Sequence, residues 1–211
     1  MSRELPILFN TEMVRAILDG RKKCTRRIVK IPNYINQQDD GLYTLFAEGT
    51  CYENQHFEEI VQYLKKPYQP GDILYVRETW CSAYDGEKFF YLADKLTNRE
   101  ERLLLNYDDV KWHPSIHMPK GAARIWLKVT DVRIERLQDI TETQAQAEGC
   151  NSGLLTGPCT ARGQFENLWN STIKKPDADK YGWSANPWVW VIEFGRCGKS
   201  GKLSRKEEVT T

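Results

Sequence analysis

The stretch PILFNTEMVRAILDGRKKCTRRIV, residues 6–29, predicts the strand, helix and strand from which the rest of the fold extends. Its first four residues predict a short strand, and the Asn-Thr pair that follows offers an N-cap. Apolar residues then recur at helical spacing between positions 13 and 18, so one face of a helix enters the core. Gly20 stands where a left-handed residue ends a helix, and residues 24–30 predict the second strand.

The segment GRKKCTRR, residues 20–27, places five cations at the exit of this helix. Cations near a helix C-terminus gain about 0.3–1 kcal/mol each from the helix dipole, and two would satisfy that need. Five like charges repel one another, so an anionic substrate or partner explains the cluster better than a solvated face does. The segment therefore predicts a basic site.

Strand alternation predicts which of these side chains lie together. Thr25 and Arg27 share one face of the strand, Arg26 points the other way, and Lys22 is free in the turn. A partly desolvated lysine beside other cations is a candidate general base, and the Thr25 hydroxyl would lie within its reach. Arg27 is suited to stabilise an oxyanion or to hold a phosphate.

Short strands dominate the rest of the chain, with helices between some of them. Residues 124–137 predict a long strand whose alternation shifts near Asp131, as at a bulge, and residues 188–194 predict the final strand. Helices are expected from residue 141 and around residue 165. This order favours an α+β fold, a small closed or nearly closed β-barrel flanked by helices, over a doubly wound parallel sheet.

The organisation predicted is one domain over residues 1–195 with two insertions. These insertions cover about residues 31–69 and 81–121, and the first contains a predicted hairpin at 42–52. Residues 196–211 lose all periodicity, which predicts a mobile C-terminal tail.

Composition limits the functional classes. The chain has 211 residues, 40% hydrophobic and 28% charged, with a formal net charge of +1, so a nucleic-acid role must come from local clustering. We expect no membrane span and a cytoplasmic location, since no long apolar window or signal-peptide pattern occurs. The six cysteines form no CxxC pair, and Pro114 separates His113 from His117, so neither disulfides nor a metal site is expected. No glycine-rich phosphate loop occurs, and we expect no cofactor.

Four further residues are candidates for a site. Glu148 ends a helix that Thr141 caps, where a carboxylate opposes the helix dipole; the local alternative is an ordinary exposed glutamate. Glu78 and Trp80 follow a core strand, and Trp80 either packs in the core or stacks on a base. His117 lies between two prolines and is either a proton carrier or a structural histidine.

The run Gly20-x-Lys22-x-x-x-x-Arg27 resembles the signature of the ASCH domain family, which has a PUA-like β-barrel fold. The agreement covers about half of the chain, in four blocks: residues 5–30, 70–80, 122–150 and 164–194. Four short motifs resemble those of the larger ASCH proteins of phages and prophages: ILDGRK at 17–22, VRETW at 76–80, SIHMP at 115–119 and NPWVW at 186–190.

The resemblance implies a function. ASCH proteins are regarded as RNA-associated, and one small branch hydrolyses the amide of N4-acetylcytidine with a lysine, a threonine and a glutamate. Lys22, Thr25 and Glu148 match these residues, so an amidohydrolase-like enzyme in the bacterial host cell is implied. Lys22 would activate Thr25 or a water, and Glu148 would pass a proton to the leaving amine. The substrate-binding residues would be Arg21, Arg27, Glu78, Trp80 and His117.

Two alternatives remain beside a hydrolase that acts on RNA or a modified nucleoside. One is a non-catalytic RNA-binding module in which the cations hold phosphates. The other is a phage accessory protein that binds a host protein and keeps the barrel as a scaffold. The hydrolase branch is about half as long as this chain, and neither insertion has a counterpart in it.

Overall fold

Strands and helices are interspersed along the chain, and the α+β class is confirmed by the computed structural model. It describes residues 2–32, 34–39, 41–47, 49–83, 88–94, 111–151 and 160–202. The strands are β1 Glu4–Leu8, β2 Cys24–Ile28, β3 Ile35–Gln37, β4 Tyr43–Ala47, β5 Thr50–Gln55, β6 Ile73–Arg77, β7 Trp80–Ala83, β8 Lys88–Tyr91, β9 Trp126–Arg136 and β10 Trp188–Cys197. The helices are α1 Thr11–Leu18, α2 Phe57–Ile60, α3 Glu142–Ala147, α4 Ala161–Thr172 and α5 Ala178–Tyr181.

The main sheet has five strands in the order β1-β6-β9-β10-β2. The β1–β6 pair is parallel and the other three pairs are antiparallel. Within the described ranges no backbone ladder joins the edge strands β1 and β2, so of the closed or nearly closed barrel that was predicted the closed form is not present. A side chain spans these two edges instead, since Arg27 Nη2 donates to the Leu8 carbonyl at 2.9 Å.

The predicted strand, helix and strand at the start of the chain are confirmed. The Asn10 side chain accepts a hydrogen bond from the Met13 amide at 2.9 Å and so caps α1. Val14 and Ile17 are fully buried on the apolar face of the helix. Gly20 has a φ of +76°, which is the left-handed conformation expected at the helix end.

Strand β10 carries hydrophobic cores on both of its faces. Trp190 and Ile192 pack into a core with α1 and the other sheet strands, whereas Val189 and Val191 pack against side chains of α3 and α4. This alternation has the period of two that a strand imposes. Helix α3 is therefore held against the face of the sheet that Val191 presents.

The bulge predicted near Asp131 is confirmed. In the β9–β10 ladder Glu193 is opposite Asp131, but the next residue, Phe194, is opposite Val129. Thr130 is thus the extra residue, and it explains why the apolar alternation of β9 changes parity.

The segment at 31–69 is part of the main core. It forms the sheet β3-β4-β5, which includes the predicted hairpin, together with α2. Tyr43, Phe57 and Ile60 are buried in the core shared with the main sheet. The Phe57 ring stacks on the Trp188 indole with centroids 4.1 Å apart and an interplanar angle of 4°.

The segment at 81–121 contributes a two-stranded sheet of β7 and β8. Residues 84–87 and 95–110 of this predicted insertion lie outside the described residues.

The last strand of the main sheet extends just past residue 196, where the C-terminal tail is predicted to begin. Strand β10 continues to Cys197, and the Gly198 amide then bonds the Lys202 carbonyl at 2.8 Å in a turn. Residues 203–211 of the predicted tail lie outside the described residues. None of the helices in the described ranges has the length and apolar character that crossing a membrane requires.

We expect Phe57→Ala to lower the free energy of unfolding by about 3–5 kcal/mol, because it removes a buried ring that stacks on the main sheet. Phe46 of the same segment is 53% exposed, so Phe46→Ala is the matched control and should cost less than about 0.5 kcal/mol. Urea unfolding of both variants measures the difference. Equal, small effects would contradict the packing of this segment into the core.

Candidate functional site

The basic turn between α1 and β2 holds the C-terminal end of α3. The Lys23 amide donates to the Ala147 carbonyl at 2.7 Å, and Arg21 Nη1 donates to the Gly149 carbonyl at 2.7 Å. Lys22 Nζ donates to the Glu148 carbonyl at 2.9 Å. These are carbonyls that a helix end leaves without partners inside the helix, so the cations of the turn cap α3.

The Glu148 carboxylate joins two cations of the turn and strand. Lys22 Nζ lies 2.6 Å from Oε2, and Arg26 Nη1 lies 3.1 Å from Oε1. The side chains of Lys22 and Arg26 are 0% exposed and that of Glu148 is 3% exposed. The three residues therefore form a buried ionic cluster in which each carboxylate oxygen has its own cation, and we call it the Glu148 cluster.

Further hydrogen bonds complete the charge balance of the Glu148 cluster. Arg26 Nη2 donates at 3.2 Å both to Glu135 Oε2 and to Gln144 Oε1. Two buried cations thus face two carboxylates, which is the condition under which buried charges are tolerated. Arg26 Nε is buried and has no hydrogen-bond partner among the described residues.

The partner that sequence reasoning missed is Arg26. Its alternation with Thr25 and Arg27 was predicted correctly, but Glu148 lies on the Arg26 side of the strand. In the β2–β10 ladder Arg26 is opposite Val191, on the face that α3 covers. A signal for this partnership was the spacing of Gln144 and Glu148, which share one face of α3 at i,i+4 and both bind Arg26.

Thr25 is buried on the opposite face, where it pairs across from Ile192 of the main core. No hydrogen bond in the described part of the chain joins Thr25 to Lys22 or to Glu148. The structure therefore brings Lys22 and Glu148 into direct contact and leaves the Thr25 hydroxyl outside their hydrogen-bonded cluster.

The Phe9 ring lies close to two cations of the basic segment, Lys22 and Arg27. Lys22 Nζ and Arg27 Cζ are each 5.6 Å from its centroid, within cation–π range. Burial lowers the pKa of the Arg27 guanidinium, and the nearby Tyr68 opposes that shift. Arg27 therefore contacts the same ring as Lys22, but it makes no direct bond to the Glu148 carboxylate.

The other three predicted binding residues lie around the connection between β6 and β7. Glu78 is buried and makes two hydrogen bonds of 3.0 Å with the Arg124 guanidinium. Burial raises the pKa of Glu78, although the paired Arg124 opposes the shift. Trp80 packs against Phe89 and the ring of the neighbouring His113, and His117 is exposed.

This second group is separate from the Glu148 cluster. Among the described residues no hydrogen bond or ion pair connects the two groups directly. The link is structural: Arg15 of α1 donates to the Ala93 carbonyl at 3.0 Å, and Asp94 pairs with Arg124. The sequence-predicted residues thus form two separate groups.

The Glu148 cluster is closed to solvent in this structure. A substrate reaches Lys22 Nζ only when a covering element moves, because neither partner of the ion pair is exposed by more than 3%. No group of three or more metal-ligating side chains occurs in the described ranges. Cys24, Cys51, Cys81 and Cys150 are free thiols, and Cys159 lies outside the described residues.

Comparison with family models, with curated proteins and with solved structures finds no match to this chain.

Gly149 permits the close approach of the turn to α3. It has a φ of +97°, and a Cβ there would lie 2.8 Å from Ala16 Cβ. Gly149→Ala should therefore cost the left-handed penalty of about 1 kcal/mol plus about 1–3 kcal/mol of steric conflict. Gly20→Ala is the matched control, since a Cβ at Gly20 meets nothing within 4 Å. Equal losses of unfolding free energy in urea would contradict the tight contact.

The charge of Glu148 should be measurable through its neighbour Cys150. Burial and then the Glu148 carboxylate raise the pKa of the Cys150 thiol to about 11, against the opposing effect of Lys22. Glu148→Gln removes one of these causes, so the pKa falls and iodoacetamide at pH 8 should modify Cys150 several-fold faster. Exposed Cys51 is the internal reference in peptide mass spectrometry. An unchanged Cys150 to Cys51 ratio in the folded variant would contradict the arrangement.

Proposed function

We propose that this chain is an ASCH-type protein with a PUA-like fold that binds RNA or a modified nucleoside and hydrolyses an N-acyl amide at the Lys22–Glu148 pair. One observation carries the proposal: two side chains 126 residues apart in sequence lie 2.6 Å from each other. Both match residues implied by the resemblance to the acetylcytidine hydrolase branch. The order of strand, helix, basic turn and later glutamate-terminated helix supports the same assignment.

The pair is suited to move protons. Transfer of one proton from the Lys22 ammonium to the Glu148 carboxylate leaves a neutral amine and a carboxylic acid. The amine then accepts a proton from water, or from the Thr25 hydroxyl, as that oxygen attacks the acyl carbon. The acid donates its proton to the departing nitrogen when the C–N bond breaks. Attack by Thr25 would give an ester that water hydrolyses in a second step.

Arg26 would position the glutamate in this reaction. Its Nη1 holds Glu148 Oε1, so Oε2 is the oxygen that faces Lys22. Because the pair is buried, each turnover includes an opening step that admits the acyl group to Nζ. Catalysis in this scheme is limited by that opening as much as by the chemistry.

A second function is favoured by the burial of the pair. A cluster of two cations and a carboxylate at 0–3% exposure is suited to a purely structural role, in which it holds the turn against α3. The protein would then be a non-catalytic RNA-binding module whose phosphate contacts weaken steeply with salt. A protein that binds neither RNA nor nucleosides would instead fit the third alternative, an accessory protein with a protein partner.

Incubation with a panel of N-acylated nucleosides and acylated short RNAs, followed by mass spectrometry, tests the proposal. Removal of one partner of a buried ion pair costs about 3–5 kcal/mol, so the best variant is the double change Lys22→Met with Glu148→Gln, which removes both charges and keeps the volumes. We expect this variant to fold and to lose roughly 10²–10⁴-fold in turnover.

Lys23→Met is the matched control, because Lys23 is an exposed cation next to the pair. It should hydrolyse the substrate at the wild-type rate. Turnover that survives in the folded double variant would remove Lys22 and Glu148 from the mechanism. Salt-sensitive RNA binding without turnover in the wild-type protein would favour the binding module.

A further inference from the structure

A second candidate site lies in a cavity of about 550 Å³ at the end of the β2–β10 ladder where β10 begins, whereas the basic turn after α1 lies at the other end of this ladder. Its volume falls in the range of about 300–1,000 Å³ that small-molecule sites occupy. The walls come from three parts of the chain: the start of the 31–69 segment, the end of β9 and the residues that precede β10. None of its lining residues belongs to the Glu148 cluster. The polar and aromatic ones include Asn36, Gln37, Arg136, Lys180, Tyr181 and Trp188.

An aromatic and guanidinium stack forms part of the cavity wall. Phe57 covers one face of the Trp188 indole at 4.1 Å, and the Arg136 Cζ lies 4.2 Å from the Trp188 ring. At that distance the Phe57 ring fills the space over one face of the indole, so the Arg136 guanidinium lies over the other face. The Arg136 guanidinium thus lies over the indole and lines the cavity, and a guanidinium plane is a surface on which nucleobases stack.

The charges on the described residues that line the cavity are all positive. Arg136 and Lys180 are the cations, and none of these described lining residues carries a carboxylate. Arg136 Nη1 donates to the Asn186 carbonyl at 3.1 Å, while its remaining N–H groups have no acceptor among the described residues. Lys180 is exposed and makes no ion pair within the described ranges. An anionic group would satisfy both cations.

Side-chain amides supply the remaining polarity of the cavity. Asn36 and Gln37 are exposed on β3, the outer strand of its three-stranded sheet. An amide offers both donors and an acceptor, as the edge of a nucleobase requires. The aromatic stack, the two cations and the two amide residues thus line the same cavity.

From this combination we propose that the cavity binds a nucleotide, with the base against Arg136 and the amides and the phosphate at Lys180. The nucleotide is either free or an unpaired unit of an RNA strand. This site goes beyond the proposed hydrolase, since it shares no residue with the Glu148 cluster. The 31–69 segment that contributes to its wall is also one of the two insertions that have no counterpart in the hydrolase branch.

Isothermal titration calorimetry of the full chain with AMP, UMP, adenosine, inorganic phosphate and a single-stranded RNA octamer tests this site. We expect AMP or UMP to bind at least fivefold more tightly than adenosine or phosphate, because each of these lacks half of the recognised group. An octamer that binds more tightly than the mononucleotide identifies RNA as the source, and equal affinities identify a free nucleotide. No binding of mononucleotide or octamer to the folded chain would overturn the proposal, and so would phosphate binding as tight as that of AMP.

Variants locate the binding. Lys180→Gln should weaken AMP binding about fivefold or more, whereas Lys174→Gln, an exposed lysine on the same segment outside the cavity, should leave it unchanged. Arg136→Lys keeps the charge and loses the planar stack, so it should reduce the preference for AMP over phosphate. The indole N–H resonance of Trp188, assigned by its loss in Trp188→Phe, should shift on binding.

The double variant Lys22→Met with Glu148→Gln separates this inference from the proposed function. It should bind AMP like the wild-type protein even though hydrolysis is lost. Loss of AMP binding in that folded variant would place the nucleotide at the Glu148 cluster and overturn the second site.

Discussion

The structure depends on one carboxylate, that of Glu148, which ties the turn after α1 and strand β2 to the end of α3. Without this carboxylate the buried Lys22 would stand in a low-dielectric interior with no counter-charge, where an unpaired charge is not tolerated, and the buried Arg26 would keep its pair with Glu135. The main sheet supplies Arg26 on a fixed strand register, and the capped turn supplies Lys22. The positions of the helix, the turn and the strand are thus set together by the two ion pairs of one carboxylate.

Local signals in the sequence predicted the elements well. The Asn10 cap, the apolar face of α1, Gly20 and the bulge beside Asp131 each depend on neighbours in sequence, so pattern and propensity were sufficient. The contact between Lys22 and Glu148 was different in kind. Spacing alone favoured an exposed glutamate, and only the resemblance to ASCH proteins joined the two residues before coordinates did so.

What the sequence could not provide were relations between distant segments. Strand alternation separated Arg26 from Thr25, but the choice of face for Glu148 depends on which side of the sheet α3 packs. Barrel closure likewise depends on pairing between β1 and β2, where a single Arg27 side chain takes the place of a backbone ladder. The 31–69 segment was expected as an addition to the framework, yet Phe57 packs in the main core because its ring stacks on Trp188.

The position of β10 in the sheet has a consequence for folding of the chain during its synthesis on the ribosome. This strand follows every other strand of the described chain, yet it sits between β9 and β2 and separates two cores. Until it emerges, β2 has no neighbour in the sheet and both cores lack a wall, so the nascent chain exposes strand edges and apolar side chains. The fold is therefore completed late, in one cooperative step. Premature termination of synthesis before Trp188 would yield an aggregation-prone fragment.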